Sequence, residues 1–195
     1  MARRIAIIQG HPDPEGEHFC HALASAYRDG AEAAGHTVDL IETSRLNLPY
    51  IRNKAEWEAA PTDDGVLHMQ SIVGAADHLV IIYPLWLGDM PAVLKSALEH
   101  LSCGGFVMAV DDSGHWQAKL KGKSARVVVT MGMPALVYRL FFLSHSLKSL
   151  ERNILKFAGV KPVSTTLMGQ VEGESRADQR ADWLTQMRRL GRDAD

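Results

Sequence analysis

The sequence predicts an α/β fold in which a doubly wound, five-stranded parallel sheet carries helices on both faces. Short, continuous apolar runs such as residues 5–8 and 79–83 are typical of strands that are covered on both faces. These runs alternate along the chain with segments in which apolar residues recur at helical spacing. At 195 residues, with 46% apolar and 23% charged residues, the chain is long enough for one substantial core. We therefore expect a single domain over residues 1–195.

A strand, a helix and a second strand are expected at the amino end of the chain. Residues 3–9 are predicted to form the first strand, because residues 5–8 are a continuous apolar run, and the loop that begins at Gly10 is rich in turn residues. Apolar spacing predicts a helix from residue 17 or 18 to about residue 34, with Gly35 ending it. The second strand then covers residues 37–41, which completes a βαβ unit.

The middle of the chain continues this alternation less regularly. Residues 42–61 lack periodicity, whereas residues 63–74 are typical of a helix whose acidic start suits the helix dipole. The third strand, residues 79–83, stops at Pro84. The third helix is expected from Pro91 onward, with this proline at a first helical position.

The carboxyl half supplies the last two strands. Residues 103–123 are predicted to be irregular, and a fourth strand follows at residues 125–130. A helix is expected within residues 136–158, at least from residue 146 on. The fifth strand covers residues 163–168, and an amphipathic helix covers residues 176–190. Five strands that alternate with helices make a doubly wound parallel sheet the leading architecture.

Charge and composition argue against several classes of partner. The formal net charge of −2 gives no electrostatic reason to expect a nucleic acid or an anionic membrane surface. The apolar segments at residues 5–8 and 136–143 are too short for a signal peptide or a membrane span. Two cysteines cannot form a disulfide framework, and the nine histidines show no metal-ligand spacing. We therefore expect a cytoplasmic protein without nucleic acid, membrane insertion or a metal site.

The sheet order predicts where a ligand binds. In an open sheet of the flavodoxin-like order 2-1-3-4-5, ligands lie beyond the carboxyl ends of the strands, where the order reverses beside strand one. The loops concerned follow strands one, three and four, and they comprise residues 11–18, 84–90 and 130–138. These stretches also have the most unusual composition in the chain, so we expect them to form one site.

The first loop leads into a helix amino terminus, whose free backbone N–H groups favour a phosphate. It lacks the glycine-rich patterns of dinucleotide-binding and NTPase loops, so neither class of site is supported. His11 and His18 either donate hydrogen bonds to a phosphate or are solvated loop residues. The carboxylates of Asp13, Glu15 and Glu17 are unfavourable beside an anion unless they turn to water.

The other two loops offer an apolar wall and a close backbone approach. Trp86, flanked by two leucines, either stacks on a planar heterocycle or plugs the end of the core. Gly132 permits the backbone to approach a ligand closely. Tyr138 and His145 are candidates for polar groups over the ring, although both residue types more often serve packing or the surface.

Three motifs resemble those of the flavodoxin-like NAD(P)H:quinone oxidoreductase family, which includes DT-diaphorase. They are Gly-His-Pro-Asp-Pro at residues 10–14 followed by Phe19, Tyr-Pro-Leu-Trp at residues 83–86 with Met-Pro-Ala-Val-Leu-Lys at residues 90–95, and Thr-x-Gly at residues 130–132. The resemblance implies a dimeric flavoenzyme that binds FMN or FAD. It also implies that a hydride passes from NADPH or NADH through the flavin to a quinone or a similar small acceptor, by a ping-pong route.

The resemblance also implies roles for individual residues. The residues around the flavin phosphate are His11, His18, Phe19 and Cys20, those that line the isoalloxazine ring are Pro84, Leu85, Trp86 and Leu87, and those near its polar edge are Thr130, Met131 and Gly132. Tyr138 matches an active-site tyrosine that closes the pocket and orients substrate, and His145 lies near a histidine that assists proton balance. The apolar run at residues 136–143 is then expected to be a subunit contact.

This chain departs from the family pattern in two loops. The family commonly has Ser-Phe-Asn where this chain has His18-Phe19-Cys20, and the first loop is longer here. Met133 stands where a second glycine is frequent, and Pro134 stiffens the same loop. The first departure changes the side chains that are offered to a phosphate.

Two alternatives to an enzyme stay open at the level of sequence. One is a flavin-binding redox sensor or ancillary subunit, for example of a potassium efflux system, and the other is a domain without flavin. The sequence does not separate FMN from FAD, because the surface for an adenine is not readable from it. NADPH and NADH are equally open, because no basic cluster marks a site for a 2′-phosphate.

Overall fold

The computed structural model of the chain describes residues 1–111 and 113–195, and these form alternating strands and helices. A π-helical segment, Leu150–Lys156, extends the sixth helix. In chain order the elements are β1 (Arg4–Gln9), α1 (Phe19–Ala33), β2 (Thr37–Glu42), α2 (Lys54–Glu58), α3 (Asp64–Ala75), β3 (His78–Pro84), α4 (Ala92–Ser102), β4 (Met108–Val110), β5 (Trp116–Ala118), β6 (Ser124–Met131), α5 (Ala135–Leu140), α6 (His145–Ser149), β7 (Val163–Gly169) and α7 (Ala177–Asp193).

Five strands form one parallel sheet with the order β2-β1-β3-β6-β7, which confirms the predicted order 2-1-3-4-5. The register places Ile5 of β1 opposite Val38 of β2, and Ile81 of β3 opposite Val127 of β6. Because all five strands run in the same direction, the loops that leave their carboxyl ends lie along one edge of the sheet.

Helices cover both faces of the sheet. Successive residues of a strand point to opposite faces, so each strand packs against helices on both sides. Ile5 and Ile7 of β1 pack with residues of α1 and α7, whereas Ala6 and Ile8 pack with residues of α3 and α4. All four side chains are buried. The burial of each isoleucine side chain contributes about 1.5–3 kcal/mol to the free energy of unfolding. A core on both faces therefore explains why β1 and β3 are continuous apolar runs and not alternating ones.

The packing of α1 against α7 depends on two glycines. A Cβ atom on Gly30 would lie 2.0 Å from the carbonyl oxygen of Arg188, and one on Gly191 would lie 2.0 Å from the carbonyl oxygen of Tyr27. No side chain fits at either position, so only glycine allows this close approach. The contact holds α1, whose amino terminus lies at the carboxyl edge of the sheet.

The segment at residues 103–123 contains an antiparallel hairpin, so the expectation of irregular structure there is wrong. β4 and β5 pair over three residues each, with Val110 opposite Trp116. The ring of Trp116 packs near that of Phe157, with centroids 6.1 Å apart. Strands of this length show too few residues for an alternating pattern to be recognised.

The helix expected within residues 136–158 is interrupted. α5 ends at Leu140, and Leu143 and Ser144 both have a φ of 51°, which a right-handed helix excludes. The N–H of Ser144 donates to the carbonyl oxygen of Tyr138 at 3.1 Å and closes the turn between α5 and α6. From His145 to Lys156 the chain is helical, which confirms the prediction of helix from residue 146 on.

The starts of α3 and α4 lie close to their predicted positions. The Asp63 carboxylate accepts hydrogen bonds from the N–H groups of Gly65 at 3.0 Å and Val66 at 3.2 Å, so it caps α3. Pro91 is the N-cap residue of α4 and not its first helical residue, one position from the expectation.

Candidate functional site

The loops after β1, β3 and β6 meet at the carboxyl edge of the sheet. The N–H of Gly10 donates to the carbonyl oxygen of Ile82 at 2.8 Å, and the N–H of Leu85 donates to the carbonyl oxygen of Thr130 at 2.7 Å. The Cys20 thiol and the Thr130 hydroxyl share a hydrogen bond of 3.4 Å. These bonds connect the start of α1 and the loop before it to the ends of β3 and β6.

The amino terminus of α1 can stabilise an anion. The helix begins at Phe19, and the N-cap residue His18 has an extended backbone and makes no side-chain capping bond. The first N–H groups of a helix have no intrahelical partner and carry partial positive charge. The ring of Phe19 lies 5.9 Å from that of Trp183, which anchors this end of α1 to α7.

Three imidazoles crowd this helix start, and we call His11, His18 and His21 the histidine cluster. The rings of His11 and His18 are stacked with centroids 3.9 Å apart, and the ring of His21 lies 5.4 Å from the first and 5.8 Å from the second. His11 is 8% exposed. The N–H of Asp13 donates to Nδ1 of His11 at 3.2 Å, and Nε2 of His18 donates to the Asp13 carboxylate at 2.8 Å.

The surroundings of His11 and His21 favour neutral imidazoles. Burial, followed by repulsion from His18 and then His21, lowers the pKa of His11. Burial, followed by repulsion from His18, also lowers the pKa of His21, although the nearby Glu42 opposes this change. A negative charge brought close to these rings favours their protonated form. His11 and His21 are therefore able to take up protons when an anion binds beside them.

Polar atoms without partners lie beside the histidine cluster. Both ring nitrogens of His21 and the Nε2 atom of Gln9 are buried and have no hydrogen-bond partner among the described residues. Oε1 of Gln9 accepts from the N–H of His11 at 3.2 Å, which fixes the position of the amide. Gln9 and His21 line a cavity of about 180 Å³, together with Arg28 and Glu42. A buried donor without an acceptor costs about 1–3 kcal/mol, so these atoms favour a bound group.

Trp86 stands on a tight turn and is 51% exposed, so it does not fill the end of the core. Its N–H donates to the carbonyl oxygen of Asp89 at 2.8 Å, and the N–H of Asp89 donates back at 2.9 Å. Leu87 and Gly88 between them have φ values of 49° and 81°, and Leu87 is fully exposed. The indole ring lies 6.0 Å from the ring of His11, edge-on to it. The turn therefore presents an apolar surface next to the histidine cluster.

The other predicted site residues differ in how far they are exposed to solvent. Pro84, the last residue of β3, and Leu85 are partly buried. Thr130 and Met131 are buried at the end of β6, whereas Gly132 is exposed. Burial raises the pKa of the Cys20 thiol to about 11, so this group carries no charge near neutral pH. The structure thus brings together all eleven residues that the resemblance assigns to cofactor binding, at one edge of the sheet.

The structure does not place Tyr138 over the site. The side chain is 1% exposed, its hydroxyl shares a hydrogen bond of 2.8 Å with the Ser146 hydroxyl, and it accepts from the N–H of Leu147 at 3.2 Å. The predicted contact of Tyr138 with substrate is therefore corrected, because the hydroxyl is enclosed and already bonded. His145 is the first residue of α6 and is exposed.

The sequence profile of the Flavodoxin_2 family, described as having a flavodoxin-like fold, matches residues 3–190 of the chain. The chain belongs to the Flavodoxin_2 family. The matched residues include all five strands of the parallel sheet and the three loops at its carboxyl edge. The family resemblance that the motifs indicate is thereby confirmed.

Three proteins that are similar to this chain in sequence or structure are oxidoreductases by name. An uncharacterized NAD(P)H oxidoreductase of Haemophilus influenzae is 24% identical over 85% of this chain and 83% of its own length. The NAD(P)H:quinone oxidoreductase of Methanothermobacter marburgensis has a TM-score of 0.85, with 23% identity, over 100% of both chains. An FMN-dependent NADH-azoreductase of Bacillus anthracis, solved with FMN, has a TM-score of 0.73 with 16% identity and covers 97% of both chains. At these identities the structural matches show a shared fold.

The length and hydropathy of the helices bear on whether this chain crosses a membrane. Among the helices in the described part of the chain, none is both long and apolar enough to cross a membrane.

Two residues of this Flavodoxin_2 site are absent from the sequence-based prediction. His21 lies three positions after His18, a spacing that places two side chains on the same face of a helix, so a weak signal was present. Gln9 is the last residue of β1 and carries no such signal. Its importance depends on the burial of its amide, which the sequence alone does not give.

Proposed function

We propose that this chain is a flavin-dependent NAD(P)H oxidoreductase, in which a hydride passes from NAD(P)H by way of the flavin to a quinone or a similar acceptor. The observation that carries the proposal is the meeting of three loops at one edge of the sheet. There the free N–H groups of a helix start, three imidazoles and a half-exposed indole lie side by side. The names of the relatives, which include NAD(P)H oxidoreductase and quinone oxidoreductase, support the reaction class.

The residues present fit a flavin nucleotide. The phosphate would be held by the N–H groups at the start of α1 and by His11 and His18. Gln9 and His21 add buried donors without partners next to that place, as a bound anionic group requires. Trp86 with Pro84, Leu85 and Leu87 would line the ring, and the backbone of residues 130–132 would lie at its polar edge. When bound, the flavin supplies the ability to accept and to release a hydride.

The side chains of this protein position the elements of the site and exclude water from it. Trp86 and Leu85 cover apolar area, which excludes water from one side of the reacting groups. Cys20 and Thr130 hold the helix start against β6 through their hydrogen bond. We also propose that His145 assists proton balance, because it is exposed at the start of α6, the second helix after β6.

The decisive test is to release the chromophore of the purified protein, identify it by mass, and follow its reduction without oxygen. Rapid bleaching by NADPH or NADH, followed by repeated turnover with a benzoquinone, supports the enzyme. Slow reduction without turnover favours the redox-sensing subunit instead. A colourless protein that gains no flavin absorbance with FMN or FAD contradicts the proposal.

Tyr138→Phe is expected to lower stability and to leave turnover unchanged. The variant loses the bonds to Ser146 and Leu147, which lowers the free energy of unfolding by about 1–2 kcal/mol. Urea unfolding measures the first effect, and steady-state quinone reduction measures the second. Tyr50→Phe is the matched control, because Tyr50 is exposed. A large loss of turnover at unchanged stability would restore Tyr138 to a role toward substrate.

We also propose that the chain is a homodimer and that it resides in the cytoplasm. The apolar side chains that follow the loop after β6 are exposed, and patches of this kind mark protein contacts. They are Leu136, Val137, Leu140, Phe141, Phe142 and Leu143. The cytoplasmic location is supported by the two cysteines, which are both free thiols.

Phe141→Asp is expected to convert the dimer into a monomer, because the change places a charge on a desolvated surface. Light scattering at micromolar concentration measures the mass. Val110→Asp changes another exposed apolar residue, on the β4–β5 hairpin, and is expected to remain dimeric. A monomeric wild-type protein would contradict the proposal of a dimer.

A further inference from the structure

We propose that the histidine cluster selects a phosphate monoester dianion, so that the chain binds FMN in preference to FAD and takes up protons as it binds. This inference rests on the proposed function and deepens it. It adds His21 to His11 and His18 as a phosphate-binding residue, and it chooses between the two flavin nucleotides that the sequence leaves open.

The geometry of the cluster points to an anion. The three rings lie within 6 Å of one another at the start of a helix of 15 residues. Gln9, which is 1% exposed, keeps its amide nitrogen without a partner, and both ring nitrogens of His21 are in the same state. Within the described residues, no group of three His, Cys, Asp or Glu side chains is arranged to hold a metal ion. Buried N–H donors beside a helix start are instead suited to phosphate oxygens.

The charges around the histidine cluster explain why anion binding is coupled to proton uptake. The Asp13 carboxylate accepts a hydrogen bond from His18. Glu42, the last residue of β2, raises the pKa of His21, and Arg45, which follows it in the chain, lowers it. Trp86, from the loop after β3, carries no charge, and the buried Cys20 thiol stays protonated near neutral pH.

The ionisable groups around the histidine cluster also include Glu15 and Glu17, from the loop after β1, and Arg28, which lines the adjoining cavity. Carboxylates outnumber the cations in this set, so an anion is repelled unless the imidazoles become charged.

The direction of the pH effect follows from linkage. In the protein without ligand, burial and mutual repulsion lower the pKa of His11 and His21, so both are mostly neutral near neutral pH. A bound dianion favours the imidazolium form and raises both pKa values, so binding takes up protons. Affinity then increases as the pH falls, by at most about tenfold per pH unit for each proton taken up. The gain ends near a pH of about 6, where the phosphate itself gains a proton.

The same reasoning separates FMN from FAD. The terminal phosphate of FMN is a monoester with two negative charges near neutral pH, and it offers three free oxygens to the cluster. Each phosphate of FAD has one ester and one anhydride bond, so it carries one charge and two free oxygens, and riboflavin has no phosphate. Protonated imidazoles therefore gain most from FMN, less from FAD and nothing from riboflavin.

Calorimetry on the full chain, freed of flavin, tests this inference. FMN, FAD and riboflavin are titrated at about pH 6.5 and about pH 8, each in two buffers of different protonation enthalpy. We expect net proton uptake with FMN, an affinity for FMN that is about tenfold higher at the lower pH, and an affinity for riboflavin that does not change. FMN is expected to bind about tenfold or more tightly than FAD.

Variants assign the effect to the cluster. His11→Asn and His21→Asn are each expected to reduce the proton uptake and to narrow the preference for FMN over FAD. His68→Gln is the control, because His68 is exposed on α3, away from the start of α1. Circular dichroism checks that each variant is folded. If a variant is not folded, the titrations of the wild-type chain test the inference on their own.

The results that overturn the inference differ from those that overturn the proposed function. FMN binding without proton uptake, or FAD binding as tight as FMN binding, overturns the inference and leaves a flavin-dependent oxidoreductase in place. A chain that binds none of the three flavins at either pH overturns both.

Discussion

Trp86→Ala is expected to weaken flavin binding by about 30- to 100-fold, which corresponds to about 2–3 kcal/mol. Half of the indole is exposed, and the turn that carries it is closed by two backbone hydrogen bonds between Trp86 and Asp89. The backbone bonds do not depend on the side chain. The change therefore removes the apolar surface offered to a planar ring and leaves the turn in place.

The loss of affinity is measured by fluorescence titration of the chain freed of flavin, and the folded state is followed by thermal unfolding. Trp116→Ala is the matched control, because Trp116 is exposed to a similar extent on the β4–β5 hairpin. It removes the same side chain without touching the three loops. Equal flavin affinities of the two variants would show that Trp86 is not part of the wall.

The parallel sheet was predictable because each of its strands carries its own signal. Residues 5–8 and 79–83 are apolar without interruption, and only a strand or a buried helix segment of that length has this pattern. The turn residues that follow each run separate the two possibilities. Once five such strands are recognised, the sheet order places the loops after β1, β3 and β6 together, without knowledge of any side chain.

Side-chain positions within those loops were less predictable. Tyr138 follows the loop after β6 in sequence, as a residue of the site is expected to, but its hydroxyl turns into the core toward Ser146. That contact depends on the break at Leu143 and Ser144, where two residues without an evident turn signal adopt positive φ. The histidine cluster shows the same limit. The sequence places His18 and His21 one turn apart, while the stacking of His18 on His11 depends on the path of the loop.

The site also depends on a contact far from it in sequence. α1 is positioned by α7, and the two helices approach so closely that Gly191 lies against the backbone of Tyr27. The loop before α1 contributes His11 and His18 to the candidate site. A change in the docking of α7 is therefore expected to affect both the stability of the fold and the helix start that holds the phosphate.

Gly191→Ala is expected to lower the free energy of unfolding by about 3 kcal/mol, at the upper end of the usual cost of overpacking. The added Cβ atom would lie 2.0 Å from the carbonyl oxygen of Tyr27 and 3.0 Å from the backbone nitrogen of Ala31. Both are backbone atoms, so no change of rotamer relieves the clash and the two helices must move apart. For a chain of this size the expected decrease in Tm is about 6–12 °C.

Gly74→Ala is the control for Gly191→Ala, since it places the same methyl group on α3, where the nearest atom is Cζ of Phe106 at 3.4 Å. Alanine is there expected to stabilise the helix by up to about 1 kcal/mol, because it has the higher helix propensity. Urea unfolding of both variants gives the two free energies. A destabilised Gly191→Ala chain that retains flavin affinity would show that α1 keeps its position without close docking of α7. Equal stabilities of the two variants would show that the two helices tolerate a wider separation than their packing indicates.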